Sequence, residues 1–131
     1  MMRAAALALV TVFAASAAWA TVEVYCEAPD GSGAAVGFGF GTVPGLAVIS
    51  ATIHADGKDW SMSEVDGAIP MIVAQGASDN MRTILDFADP QYSKIIASVR
   101  LMTTVEGDDY VTVGTLAIPE VGAFPLICEG P

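Results

Sequence analysis

The sequence predicts an all-β domain: a single antiparallel β-sandwich or small closed barrel of about eight or nine strands. Three observations carry that expectation. Apolar residues recur with period two along most of the chain. Turn-forming pairs interrupt the alternation roughly every 8–12 residues, the spacing of short strands in sandwiches and barrels. The two cysteines, Cys26 and Cys128, stand near the two ends of the folded part.

In order, Thr21 to Glu27 places Val22, Val24 and Cys26 on one face. Asp30-Gly31-Ser32-Gly33 is a turn. From Ala35 to Gly41, Val36, Phe38 and Phe40 alternate with Gly37, Gly39 and Gly41. Pro44-Gly45 is a turn before the long run from Leu46 to Ala55. Asp56-Gly57 reads as a two-residue hairpin turn into Lys58 to Met62. Asp66-Gly67 leads to a strand from Ile69 to Gln75, in which Pro70 points to an edge or a strand start. Met81 to Phe87 and Lys94 to Thr104 follow, and Glu106-Gly107-Asp108-Asp109 turns the chain into Tyr110 to Ile118. The last strand is Val121 to Glu129, with Pro125 again favouring an edge or a bulge. One segment reads two ways. Asp89-Pro90 resembles a helix start, so an α+β fold with one short helix near residues 90–102 is the alternative. The alternation of Ile95, Ala97, Val99 and Leu101 favours strand.

The chain divides into a cleavable signal peptide, residues 1–20, and a single exported domain, residues 21–131. Met1-Met2-Arg3 is a charged start, Ala4 to Ala15 an apolar run, and Ala18-Trp19-Ala20 a small-x-small cleavage site. The run is alanine-rich and broken by Thr11 and Ser16, too weakly apolar for a retained anchor. Cys26 follows Glu23-Val24-Tyr25, which is not a lipoprotein cleavage context. Later apolar runs are interrupted by Asp56, Lys58, Asp59, Asp66 and Asp79, so no stable membrane anchor is expected after cleavage. The expected address is the periplasm or the secreted fraction.

Without the signal, Lys58, Arg82, Lys94 and Arg100 face 15 acidic residues. That balance disfavours nucleic acid and anionic membrane surfaces and favours a basic protein as partner. In an oxidising compartment Cys26 and Cys128 are expected to pair. Pairing requires their Cα atoms to lie within roughly 7 Å, so the first and last strands must be neighbours. A redox role is disfavoured because there is no Cys-x-x-Cys spacing and because Glu27 and Glu129 follow the two cysteines.

No catalytic or cofactor motif emerges. Gly37-Phe38-Gly39-Phe40-Gly41 lacks the third glycine of a dinucleotide loop, and Pro44-Gly45 follows it instead of a helix. It is better read as a strand whose glycine face admits another backbone or a ring. His54, the single histidine, sits on the polar side of its strand with Ser50 and Thr52. It reads as a half-exposed strand residue, and no nucleophile elbow or His-Glu-x-x-His helix accompanies it. The acidic groups Asp56-Gly57-Lys58-Asp59, Asp86 with Asp89, and Glu106-Gly107-Asp108-Asp109 each offer too few oxygens for calcium unless loops converge, so a metal site stays open. Asp and Gly are favoured in turns for backbone reasons alone. Trp60, Tyr92 and Tyr110 lie near charged turns, as strand-end or interface aromatics would.

The layout of a signal, a Val24-Tyr25-Cys26 start, about 100 residues of strands and a late cysteine resembles the small exported β-barrel inhibitors of c-type lysozyme. The resemblance covers architecture alone. Ser32-Gly33-Ala34-Ala35-Val36 lacks the tyrosine of that family's Ser-Gly-x-x-Tyr loop, and its Lys-Gly motif is absent. No residue roles transfer. The functional expectation is a non-enzymatic protein-binding module; the alternatives are an inhibitor of a basic enzyme such as lysozyme, and a small hydrolase using His54 or the carboxylates.

Overall fold

The computed structural model describes residues 21–41 and 47–129. The expected signal peptide and the Pro44-Gly45 turn lie outside them. The described residues are all-β: ten strands and no helix. They are β1 (Val22–Glu27), β2 (Ala35–Gly41), β3 (Ala47–Ala55), β4 (Lys58–Ser61), β5 (Ile69–Pro70), β6 (Ile72–Ser78), β7 (Arg82–Ala88), β8 (Ile95–Glu106), β9 (Asp109–Ile118) and β10 (Gly122–Glu129). They form one sheet in the order β5-β4-β3-β2-β1-β10-β9-β8-β7-β6, which curls into a nearly closed barrel.

Period two sets the wall. Val24, Cys26, Val36, Phe38, Ile53, Leu85, Phe87, Val99, Leu116 and Leu126 all point inward and are buried in one core. Asp56 and Gly57 both have positive φ (51° and 69°), which gives the β3–β4 hairpin the twist its strands need. Close strand approach also constrains β9. A Cβ on Gly114 would lie 1.9 Å from the Arg100 carbonyl oxygen, so no larger residue fits there without moving β8.

The expected neighbourhood of the cysteines is present. β1 pairs antiparallel with β10, Cys26 directly faces Cys128, and the two form a disulfide across a separation of 102 residues.

One expectation needs correction, and one open choice is resolved. The run predicted as one strand from Ile69 to Gln75 is two strands. Ile69–Pro70 pairs parallel with β4, whereas Ile72–Ser78 pairs antiparallel with β7 at the far end of the sheet. Between them Met71 is buried, with its N–H donating to the Ser61 carbonyl (3.0 Å). Pro70 has no N–H to extend a ladder, and the buried Met71 fixes the corner at which the chain passes from one sheet edge to the other. This also introduces one parallel pair into an otherwise antiparallel fold. Near residues 90–102 the favoured strand is present as β8, and the helix alternative does not occur. Asp89 caps a tight turn instead: its Oδ1 accepts from the Ser93 and Lys94 N–H groups (2.8 and 2.9 Å), and its Oδ2 from the Ser93 hydroxyl (2.6 Å). With Tyr92 at φ 55°, the chain reverses into β8.

Candidate functional site

The closed side and the open side of the barrel differ in how their edges are protected. β4 carries Lys58 and Asp59, and β5 carries Pro70. β10 is covered by β1 from Ile127 to Glu129 alone; beyond that stretch it presents Pro125. Charge and proline are the usual guards of a sheet edge. β6 has neither. Ile72-Val73-Ala74-Gln75-Gly76-Ala77-Ser78 contains no charged residue and no proline, and it is exposed from Gln75 onward. Among the described residues β7 is its one ladder partner; β6 comes close to β3 without pairing with it.

The turn after β6 determines which backbone groups are free. Asp79 Oδ1 accepts from the N–H groups of Met81 (2.8 Å) and Arg82 (2.7 Å). These backbone hydrogen bonds, with a smaller contribution from the Arg82 charge, hold the Asp79 carboxyl below its usual range. The Asp79 N–H donates to the Arg82 carbonyl (2.9 Å). In an antiparallel ladder such bonds recur every second residue, so Ala77 and Gln75 bond to β7. The backbone groups of Gly76 and Ser78 then face the open edge.

Behind this edge lies a polar cluster on the outer surface of the sheet. Gln75, Asp86 and Ser98 stand opposite one another on β6, β7 and β8. Gln75 Nε2 donates to Asp86 Oδ2. Arg100 Nη1 lies 2.9 Å from Asp86 Oδ1. Its hydrogens are directed to the Leu85 and Val99 carbonyls (3.1 and 2.9 Å), so the contact with Oδ1 is an ion pair rather than a well-aimed hydrogen bond. Asp86 is 4 % exposed. Burial pushes its carboxyl up, but Arg100, Gln75 and Ser98 together outweigh this and hold it below the usual carboxylate range. The cluster ties β6 to β7 and β8.

On the opposite half of the outer surface, His54 Nδ1 lies 2.6 Å from Asp59 Oδ1, directly across β3 and β4. The side chains are 50 % and 63 % exposed, as expected for a strand histidine at a half-open position. They border a hollow of about 300 Å³ that Tyr25, Ser61, Val65 and Asp66 also line. Ser61, the nearest buried hydroxyl on β4, already accepts the Ser63 N–H (3.1 Å). The glycine face of β2 lies beside it: a Cβ on Gly37 would sit 3.5 Å from the Tyr25 ring, and one on Gly39 would sit 2.7 Å from the Ser50 hydroxyl.

The acidic sequence clusters do not converge. Asp86 sits in the wall ion pair and Asp89 in its own turn, and Glu106 to Asp109 form the β8–β9 turn at the other end of the barrel. Among the described residues no three His, Cys, Asp or Glu side chains gather as a metal centre requires. Trp60 is a core residue, Tyr92 is exposed in the β7–β8 turn, and Tyr110 faces the barrel mouth. Sequence reasoning missed the open edge of β6, although its signal, seven residues without charge or proline, was visible; what it lacked was the switch at Met71 that turns this run into a terminal strand. Compared with protein-family models, curated proteins and solved structures, the chain matches none.

Proposed function

We propose that this chain is an exported, non-enzymatic binding domain that takes up an extended segment of a basic protein along β6. The observation that carries the reading is the unguarded edge from Ile72 to Ser78, with the Gly76 and Ser78 backbone groups turned outward. Strand addition uses such groups for affinity and side-chain pockets for selectivity. The excess of 15 acidic residues over Lys58, Arg82, Lys94 and Arg100 selects for a basic partner and speeds encounter. The disulfide and the absence of a membrane-crossing helix among the described residues are compatible with export.

The test is recovery of a partner from the native exported fraction by the wild-type domain and by Ala77→Lys. The Ala77 side chain projects outward at the edge, so a lysine there repels a basic strand without entering the core. The expected result is a basic protein retained by the wild type and lost with Ala77→Lys. Retention by both, or by neither, overturns the reading. Inhibition of a basic enzyme such as lysozyme is a narrower form of the same proposal, and unchanged lysis at micromolar excess of the domain removes it. The hydrolase alternative rests on the His54–Asp59 pair; hydrolysis lost in His54→Ala with unchanged folding would favour it over binding.

A further inference from the structure

At the end of the barrel that carries the β6–β7 and β8–β9 turns, the inward positions change character. Mid-sheet they are Leu85, Val99 and Leu116, all buried. One or two inward steps along the same strands they become Thr83, Thr103 and Thr112. A cavity of about 400 Å³ opens there. Its walls include Val24, Phe38, Phe40, Leu101, Val105 and Tyr110. Phe38 and Phe40 stack with ring centroids 6.3 Å apart. Val105 and Tyr110 face each other across β8 and β9 on the inward side, yet they are 60 % and 49 % exposed. The hairpin therefore runs past the rim and holds apolar side chains over the opening. Small barrels hold single ligands in such mouths, and cavities of roughly 300–1,000 Å³ are the usual size.

The polar groups are sorted by depth. Thr103 and Thr112 bond to each other through their hydroxyls (2.7 Å) within the wall. Asp79 and Asp108 lie at the rim, and no lysine or arginine lines the cavity among the described residues. The Arg82 guanidinium approaches Asp79 from outside at 3.9 Å. An apolar interior beneath a carboxylate rim complements a molecule with an apolar body and a cationic head.

We propose that this mouth binds one small amphiphile with an apolar body and an ammonium head, the body held between Phe40 and the Val105–Tyr110 pair and the head at Asp79 and Asp108. The site lies inside the barrel mouth and meets the β6 edge at Ser78 and the Asp79 turn; amphiphile binding is read without a partner protein and so is tested apart from the edge. The experiment is isothermal titration of the domain with decyltrimethylammonium and with decanoate, both below their micellar concentrations. The expected result is saturable one-to-one binding of the ammonium and at least tenfold weaker binding of the carboxylate. Asp108→Asn narrows that preference; Glu120→Gln, at the opposite end of the barrel, leaves it unchanged. Thr103→Phe, which fills the cavity, weakens decyltrimethylammonium at least tenfold with the disulfide and circular dichroism retained. Equal affinity for the two amphiphiles, no saturable binding, or equal effects of Asp108→Asn and Glu120→Gln would each overturn the proposal, the last because it signals diffuse charge attraction.

Discussion

At the β1–β10 junction the first and last described strands meet across 102 residues of chain, paired in register and joined covalently. At the β5–β6 junction the two edges of the sheet are adjacent in sequence, separated by Met71 alone, yet no ladder joins them. The contrast follows from chain entropy. Bringing distant segments together is the larger conformational cost, and a disulfide offsets it chiefly by restricting the unfolded chain. Closing the neighbouring edges needs no cross-link; one buried side chain at the corner suffices, and most of β6 is left open. The covalent junction closes the long loop between the terminal strands, and the open junction leaves the β6 edge without a second ladder partner among the described residues.

The largest expected effect comes from breaking the covalent junction. Cys26→Ser with Cys128→Ser should cost about 4–5 kcal/mol in denaturant unfolding, the chain-entropy value for a loop of this length. A cost near that of an ordinary surface change would mean that the β1–β10 ladder closes the barrel unaided.

Next is the corner. Met71 is 1 % exposed. Met71→Ala should cost about 2–4 kcal/mol through lost burial and the cavity left behind. Faster amide exchange should then spread through β5 and β6 before it reaches β1 and β10. Uniform destabilisation would contradict the separation of the two junctions.

The wall cluster behind the open edge comes third. Arg100→Ala leaves Asp86 buried without its cation and should cost about 2–3 kcal/mol, less than the roughly 3–5 kcal/mol for breaking a fully buried pair because Arg100 is itself 45 % exposed. The pH dependence has a definite sign. Asp86 titrates lower in the folded state than in the unfolded chain. Its stabilisation is therefore complete above the unfolded carboxylate value of about 3.9 and is lost as the pH falls through the lower folded value. Stability of Asp86→Asn should fall less steeply in that acid range than stability of the wild type; parallel profiles would show that the cluster does not contribute in this way.

The smallest effect on stability is expected at the edge itself. Ala77→Lys adds a solvent-facing charge beside an exposed strand and should change stability by less than about 0.5 kcal/mol. Under the proposed function, its larger effect is expected on recovery of the basic partner.

Much of this contrast could be read from the chain alone. Strand alternation, the Asp56-Gly57 hairpin and the pairing of Cys26 with Cys128 depend on local periodicity, local turn chemistry and the count of thiols, all of which a single sequence displays. The seam was harder to see. Ile69 to Gln75 looks like one strand because Met71 is an ordinary apolar residue in an alternating run; its role as a corner depends on Ser61 meeting it from a separate strand. Asp89-Pro90 left a helix open as the alternative for a similar reason, since an aspartate that caps a helix and one that caps a turn use the same side-chain oxygens. The pair of buried Asp86 and half-exposed Arg100 was legible as two charges but not as partners, because they occupy different strands.

Hydrogen exchange along β6 in the free domain, read residue by residue by NMR, tests the central claim most directly. The open edge predicts alternation: slow exchange at Gln75 and Ala77, whose N–H groups bond to β7, and fast exchange at Gly76 and Ser78, whose N–H groups face outward. Equal protection at all four positions would show that the edge is already occupied and would contradict the account.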